Sequence, residues 1–238
     1  MSDGFFISVI IPAYNAAPFL ADALECVREQ RCDPLEIIVV DDGSTDNTSE
    51  VAASFGSAVR LIRQENQGPA GARNRGLLVA RGNAIAFLDA DDLWPAGALQ
   101  LLAGEMASRQ AEIVLGRVQY MRQVKDASGV RGFEPFAEPC ISMSLDAGLF
   151  HRSVFDKVGH FDPTTRSGED VDWFMRAREQ NIHLAVLPEV TLFYRRHDHN
   201  MTRARQSIHA DFVRTLKRSL DRRRNTDVLE SLPPLGRR

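Results

Sequence analysis

The chain has 238 residues, 44% hydrophobic and 26% charged, with a net charge of −3; this suits one large globular domain or two small ones and argues against bulk nucleic-acid binding. No stretch approaches the roughly 18 consecutive apolar residues of a membrane span, and Met1-Ser2-Asp3-Gly4 lacks the basic start of a secretion signal, so a cytoplasmic location is expected. Cys26, Cys32 and Cys140 are odd in number and form no C-x-x-C pair, so neither a disulfide framework nor a thiolate zinc site is indicated.

Ile7 to Ile11 reads as a buried strand ended by Pro12, whose missing N–H would interrupt a sheet ladder. Pro18 suits a first helical turn, and Leu20, Ala23, Leu24 and Val27 follow at i, i+3, i+4 and i+7; this helix stops before Asp33-Pro34. Glu36 to Val40 is a second strand, near-continuously apolar as strands covered on both faces are, and it ends in Asp41-Asp42-Gly43-Ser44. Asp46 or Asn47 can cap a short helix through Phe55-Gly56, Val59 to Ile62 is a third strand and Ala70 to Ala80 a third helix. Ala84 to Leu88 is the fourth strand and Ala98 to Ser108, with Leu99, Leu102 and Met106, the fourth helix.

Strand and helix alternating at this spacing imply right-handed crossovers and a mainly parallel sheet with helices on both faces. From Glu112 the pattern becomes α+β. Ile113-Val114-Leu115 and Val118-Gln119-Tyr120 read as strands, Asp126 to Gly129 as a turn, Ser153 to Val158 and Asp170 to Gln180 as helices, and Leu184 to Leu187 and Val190 to Tyr194 as strands. There is no internal repeat and no low-complexity linker, so the two halves are expected to share one core.

Phe87-Leu88-Asp89-Ala90-Asp91-Asp92 is the point around which the chain is organised. A buried strand that ends in carboxylates delivers them to the crevice where open α/β sheets bind ligands. Carboxylates this close repel one another, and solvent, proton uptake or a cation such as Mg²⁺ or Mn²⁺, which takes oxygen ligands, relieves the repulsion; an acidic turn capping the helix near Pro95 is the plainer alternative.

Five segments occur in order at compatible spacings: ISVIIPAYN (7–15), EIIVVDDGSTD (36–46), NQGPAGARNRG (66–76), FLDADD (87–92) and GEDVDWFMR (168–176). Together they resemble family 2 glycosyltransferases, and the resemblance covers Ile7 to about Thr202. It implies an α/β GT-A nucleotide-diphospho-sugar transferase fold, a mainly parallel Rossmann-like sheet with an α+β acceptor-side half sharing the core. Residues 1–110 would be the nucleotide-sugar half, 111–204 the acceptor half and 205–238 a basic amphipathic helix and tail.

The resemblance also implies roles. Asp89-Ala90-Asp91 resembles the family's D-x-D motif, with Asp91 on a divalent cation (Mn²⁺ or Mg²⁺) and Asp89 toward the ribose and the ion. Such a cation stabilises charge on the departing diphosphate. Pro12, Ala13, Tyr14, Asp41 and Asp42 match positions that hold the nucleoside, where an Asp accepting from N3–H favours uracil; an Asx-type turn is the alternative for one of the two Asp residues. Arg73 matches an arginine on the donor nucleotide. Asp170, beside Glu169, matches the general base that an inverting transfer needs. Tyr194-Arg195-Arg196-His197 resembles a late Y-R-x-H element whose His completes the metal shell or meets the diphosphate, with His199 as a weaker candidate. Trp173 could line the acceptor pocket or fill the core.

Two departures narrow the reading. The Gly68–Asn74 loop is no P-loop, because no lysine precedes Lys125, and the Q/R-x-x-R-W element of processive relatives is missing after Asp170. The expectation is one sugar moved from a nucleotide-diphosphate sugar to a hydroxyl of a glycan or glycolipid. A sugar-nucleotidyltransferase, or a non-catalytic module that binds sugar nucleotides, is the alternative. Ile208, Phe212, Leu216 and Leu220 recur every four residues among Arg214, Lys217, Arg218 and Arg222 to Arg224. That stripe suits peripheral contact with the inner membrane surface or docking on the protein's own core.

Overall fold

The computed structural model describes residues 4–125, 131–165, 168–198, 200 and 205–225, with side chains of the last helix described from Val213 to Arg224. The elements are β1 (Ile7–Ala13), α1 (Ala17–Glu29), β2 (Leu35–Asp41), α2 (Thr48–Ser54), β3 (Val59–Arg63), α3 (Gly68–Val79), β4 (Ala84–Phe87) and α4 (Ala98–Arg109). They continue with β5 (Ile113–Lys125), β6 (Arg131–Pro135), β7 (Cys140–Ile141), β8 (Gly148–His151), α5 (Ser153–Val158), α6 (Glu169–Glu179), β9 (Leu184–Arg196) and α7 (Arg205–Asn225). None of the described helices is long and apolar enough to cross a membrane.

Among the described residues nine strands form one sheet in the order β3-β2-β1-β4-β8-β5-β6, with β7 and β9 also paired to β5. β3, β2, β1 and β4 run parallel; β8 is antiparallel to β4 and β5, and β9 is parallel to β5. Alternation within the central strands explains their unbroken apolar runs. Val9, Ile11, Ile37, Val39, Ala84 and Ala86 join one core with Leu20, Leu24 and Val27 of α1 and Leu99, Leu102 and Met106 of α4. Ile10, Ile38, Val40, Ile85 and Phe87 join a second core with Ala70, Ala72 and Leu77 of α3 and Phe155, Trp173 and Phe174 beyond them. Both clusters draw on residues either side of 110, across one continuous sheet.

Three local readings need correction. Pro12 does not end β1, which pairs with β2 as far as Ala13↔Asp41. The carbonyl of Ile10 faces β4 and accepts from Leu88 N–H, and that of Ala13 faces β2 and accepts from Asp42 N–H. Pro12 therefore turns its missing donor toward β4, which has already left the ladder after Ile10↔Phe87. The two short strands read around Leu115 and Tyr120 are one strand, β5, with its register against β9 shifted between Leu115 and Val118, and the two read around Leu187 and Val190 are likewise one strand, β9. The turn expected at 126–129 lies outside the described residues.

The apolar stripe of α7 also behaves differently. Its buried described residues are Thr215 and Ser219. Ser219 and Arg222 bond Glu179 of α6 at 2.6 and 2.7 Å, Arg222 also reaches Asp172, and Arg218 reaches Asp162 at 3.1 Å. Val213 and Leu220 are 64% and 46% exposed. The helix docks by its polar face because α6 offers carboxylates there; Ile208 and Phe212 have side chains outside the described set.

Candidate active site

Parallel pairing sets the ends of β1, β2 and β4 side by side, so the segments that follow them emerge at one edge of the sheet. The first two are tied together. Asn15, at φ 49°, donates its N–H to Ser44 Oγ at 2.9 Å and accepts Thr45 N–H on Oδ1 at 2.8 Å. Gly43 turns at φ +81°, and a Cβ there would stand 3.0 Å from Asn66 N, so both the conformation and the space call for glycine.

These segments enclose a cavity of about 670 Å³ lined by Pro12 to Ala16, Phe19, Asp42, Asn66, Gly68, Pro69, Ala72, Asp89 to Asp91, Tyr194, His197 and Asn200. Asp42 accepts from Gln64 Nε2 at 2.7 Å and Gln67 N–H at 2.9 Å through Oδ1. Asp41 does not reach the cavity. It is fully buried, accepts Ser44 N–H at 2.9 Å and Ser49 Oγ–H, and lies 3.5 Å from Arg63 Nε. Of the two strand-end carboxylates, Asp41 therefore builds the turn; burial works against its charge, but the hydrogen bonds from Ser44 and Ser49 hold its pKa below the usual carboxylate range.

The acidic run is divided between two buried arginines. Arg73 on α3 donates Nη2–H to Asp89 Oδ1 at 2.6 Å and Nη1–H to Glu169 Oε1 at 2.5 Å. It is 5% exposed, does not line the cavity and clamps two carboxylates. Burial works against its charge, but these carboxylates push its pKa further up. On the other side Arg195 donates Nε–H to Asp91 C=O at 2.5 Å and its backbone N–H to Asp92 Oδ1 at 2.8 Å. Asp91 Oδ2 meets His197 Nε2 at 3.0 Å and Asn200 Nδ2 at 3.1 Å. Asn200 accepts His197 N–H on its Oδ1 at 2.5 Å, so it holds the pair together.

Burial pushes Asp89, Asp92 and Asp146 upward, and for Asp92 and Asp146 the neighbouring carboxylates add to the rise. Asp92 Oδ2 and Asp146 Oδ1 are buried without a hydrogen-bond partner among the described residues. Asp170 stands in the first turn of α6 with its Oδ1 accepting Val171 N–H at 2.7 Å. Burial, then the charge of Glu169, push its pKa to about 7. Gly168, at φ +77°, turns the chain into α6, and Asn74 holds the preceding segment by two bonds to the Phe161 backbone at 2.9 and 3.0 Å.

Pro12, Ala13, Tyr14, Asp42, Asp89, Ala90, Asp91 and His197 thus meet on one cavity, with Tyr14 half exposed. Trp173 does not line a pocket: it is fully buried, stacked on Phe155 at 4.9 Å, with Nε1–H donated to Gly159 C=O at 2.8 Å. His199 lies outside the described residues. Sequence reasoning missed Phe19, Asn66, Asp146, Arg195 and Asn200 as parts of this region. Asn66 and Arg195 stood inside the quoted segments, and Phe19 one turn into α1 behind the strand end; Asp146 and Asn200 carried no such signal.

Among the described residues no group of three or more His, Cys, Asp or Glu side chains is arranged to hold a metal ion. The chain offers the Asp91 carboxylate and the His197 imidazole side by side on the cavity wall. Two donors with open space beside them fit Mg²⁺ or Mn²⁺ that keeps water and takes its other oxygens from a bound diphosphate.

Comparisons with known proteins agree with this architecture. The chain is 35% identical over 119 residues (49% of this chain, 47% of the other) to the Escherichia coli UDP-Glc:alpha-D-GlcNAc-diphosphoundecaprenol beta-1,3-glucosyltransferase WfgD. It superposes on residues 1–349 of S. aureus TarS in complex with UDP with a TM-score of 0.69, at 21% identity, over 90% of this chain and 64% of that one. The mannosyltransferase PcManGT from Pyrobaculum calidifontis, in complex with GDP-Man and Mn²⁺, gives 0.68 at 22% identity over 97% and 66%. The chain spans about half the length of the curated relatives it matches, from 38% to 62% in the first three. The sequence profile of the family described as glycosyl transferase family 2 matches residues 8–168, and on that match the chain belongs to glycosyl transferase family 2.

Proposed function

We propose that this chain carries out an inverting, metal-dependent transfer of one sugar from a nucleotide-diphosphate sugar to a hydroxyl of a glycan or glycolipid. The observation that carries the reading is the convergence of the nucleoside-type wall (Pro12, Ala13, Tyr14, Asp42) and the Asp89-Ala90-Asp91 turn with His197 on one cavity. Uridine is the favoured base: Asp42 stands on that wall able to accept a ring N–H, Tyr14 offers a stacking face, and the UDP complex of TarS and the UDP-Glc named for WfgD lend support.

Asp91 and His197 would hold a divalent cation, which when bound stabilises the charge that grows on the departing diphosphate; the Mn²⁺ of PcManGT supports this. The remaining work falls to side chains. Asp170 takes the proton of the attacking hydroxyl as its oxygen forms the new bond to the sugar C1. The C1–O bond to the β-phosphate breaks on the opposite face, and its electron pair leaves with the nucleoside diphosphate. Glu169 holds Arg73, and Arg73 holds Asp89 at the cavity wall.

A glycolipid acceptor accords with the diphosphoundecaprenol-linked sugar named for WfgD. The outward face of α7, with Val213, Lys217 and Leu220 exposed, would then meet an anionic membrane surface. A thermal-shift panel of UDP, dTDP, GDP and CMP, each with and without Mn²⁺, tests the donor reading. A ligand at about 100 times its Kd adds roughly 2.7 kcal/mol. UDP with Mn²⁺ should raise the Tm most; no shift with any of the four would remove the reading.

A further inference from the structure

Arg195 stands at the end of β9 with 3% of its side-chain surface exposed. A guanidinium taken out of water is costly unless it is paired and hydrogen-bonded, so its partners define what it is for. They come from three parts of the chain. The backbone N–H donates to Asp92 Oδ1 and Nε–H to the carbonyl of Asp91, while Nη1–H reaches Asp22 Oδ2 on α1 at 2.9 Å. The flat group also lies over the rings of Phe19, at 5.4 Å, and Phe133, at 5.3 Å. The Phe19 ring in turn stacks on the His197 imidazole at 4.2 Å.

We infer that Arg195 is the positioning residue of the cation site, holding Asp91 and His197 in register with each other. The inference rests on the metal-dependent donor binding proposed above. Asp91 and His197 come from segments 106 residues apart, and their 3.0 Å approach depends on how β9 sits against the turn after β4. Arg195 joins those two segments, fixing the peptide of Asp91 and the side chain after it while lying two residues before His197. Only a planar fork can bond Asp91 and Asp22 while stacking on two rings; a lysine keeps the charge but has no such fork. The far end of the link, Asp22, is 62% exposed, so that contact can be removed without opening the core.

Residues that orient a metal ligand typically change metal affinity or activity 10- to 100-fold when replaced. The experiment is calorimetric titration of UDP into the parent, Arg195→Lys and Asp22→Asn, in EDTA and across a Mn²⁺ series, with Tm measured alongside. In Arg195→Lys the affinity for UDP in Mn²⁺ should fall at least about tenfold and half-saturation should need correspondingly more Mn²⁺. Affinity in EDTA should match the parent, and Asp22→Asn should shift the Mn²⁺ requirement in the same direction by less. Equal UDP affinity of the parent in Mn²⁺ and EDTA would reject the metal reading itself. A Mn²⁺-dependent parent whose Arg195→Lys variant keeps the parent's Mn²⁺ requirement, or loses affinity equally in both buffers, would reject the role of Arg195. If Arg195→Lys does not fold, Asp22→Asn decides: a parent-like Mn²⁺ requirement in that variant overturns the inference.

Discussion

Asp170 and Glu169 are adjacent in the chain yet held by different neighbours, and that difference assigns their work. Glu169 is buried in an ion pair with Arg73, whereas Asp170 takes one backbone N–H and carries a pKa pushed up to about 7 by burial and by Glu169. A base acts when deprotonated, so turnover should rise with pH through about 7 and level off above it. Replacing Asp170 by Asn should lower kcat about 10²- to 10⁴-fold and leave UDP and Mn²⁺ binding at parent levels. The same shift has a sign in stability. The folded state holds this proton more tightly than an unfolded chain at the ordinary 3.8, so the contribution is present at low pH and lost as pH rises through about 7. Stability measured against pH should accordingly decline less over that window in Asp170→Asn. Arg73 is the complementary case: Arg73→Met leaves two carboxylates unpaired, and urea denaturation should report a loss of about 3–5 kcal/mol.

At the scale of elements, the helices owe their placement to close contacts with the sheet. A Cβ on Gly76 of α3 would fall 2.4 Å from Ile10 Cγ2, so Gly76→Ala should push α3 off β1 and cost about 1–3 kcal/mol in a denaturant midpoint series. The period-2 and period-3.6 patterns made the first four strands and helices legible, since each lies on a sheet covered on both faces. The long strands β5 and β9 were read as fragments because a register shift near Arg117 and Pro188-Glu189 in β9 interrupt their apolar runs. For α7 the apolar repeat suited a membrane surface or the core equally, whereas among the described residues the carboxylates of α6 decide the docking face; those partners lie 40 to 50 residues away in sequence. If its outer face meets lipid, Lys217→Glu combined with Leu220→Ser should reduce sedimentation with anionic vesicles; unchanged sedimentation would dismiss that contact.

The whole molecule gathers three strand ends, the start of α3 and the end of β9 around one cavity. The strand-end carboxylates were legible because an apolar run that stops in Asp residues is a local signal. Which of them face the cavity was not: Asp41 and Asp42 are neighbours of one type, and only the turn through Ser44 and Ser49 separates them. The partners of Arg195 and Asn200 were not legible for a related reason, although Arg195 stands in the Y-R-x-H element, since those partners lie 104 and 109 residues earlier.

The measurement that tests the account most directly follows UDP-sugars by ³¹P and ¹H NMR in the presence of the protein and Mn²⁺. Slow release of UDP and free sugar by cleavage at C1 is expected when water stands in for the acceptor, abolished by EDTA and by Asp91→Ala. Intact nucleotide sugars throughout would contradict it, and so would UTP and a sugar 1-phosphate formed on adding pyrophosphate, which would mean that the bond broken lies between the phosphates.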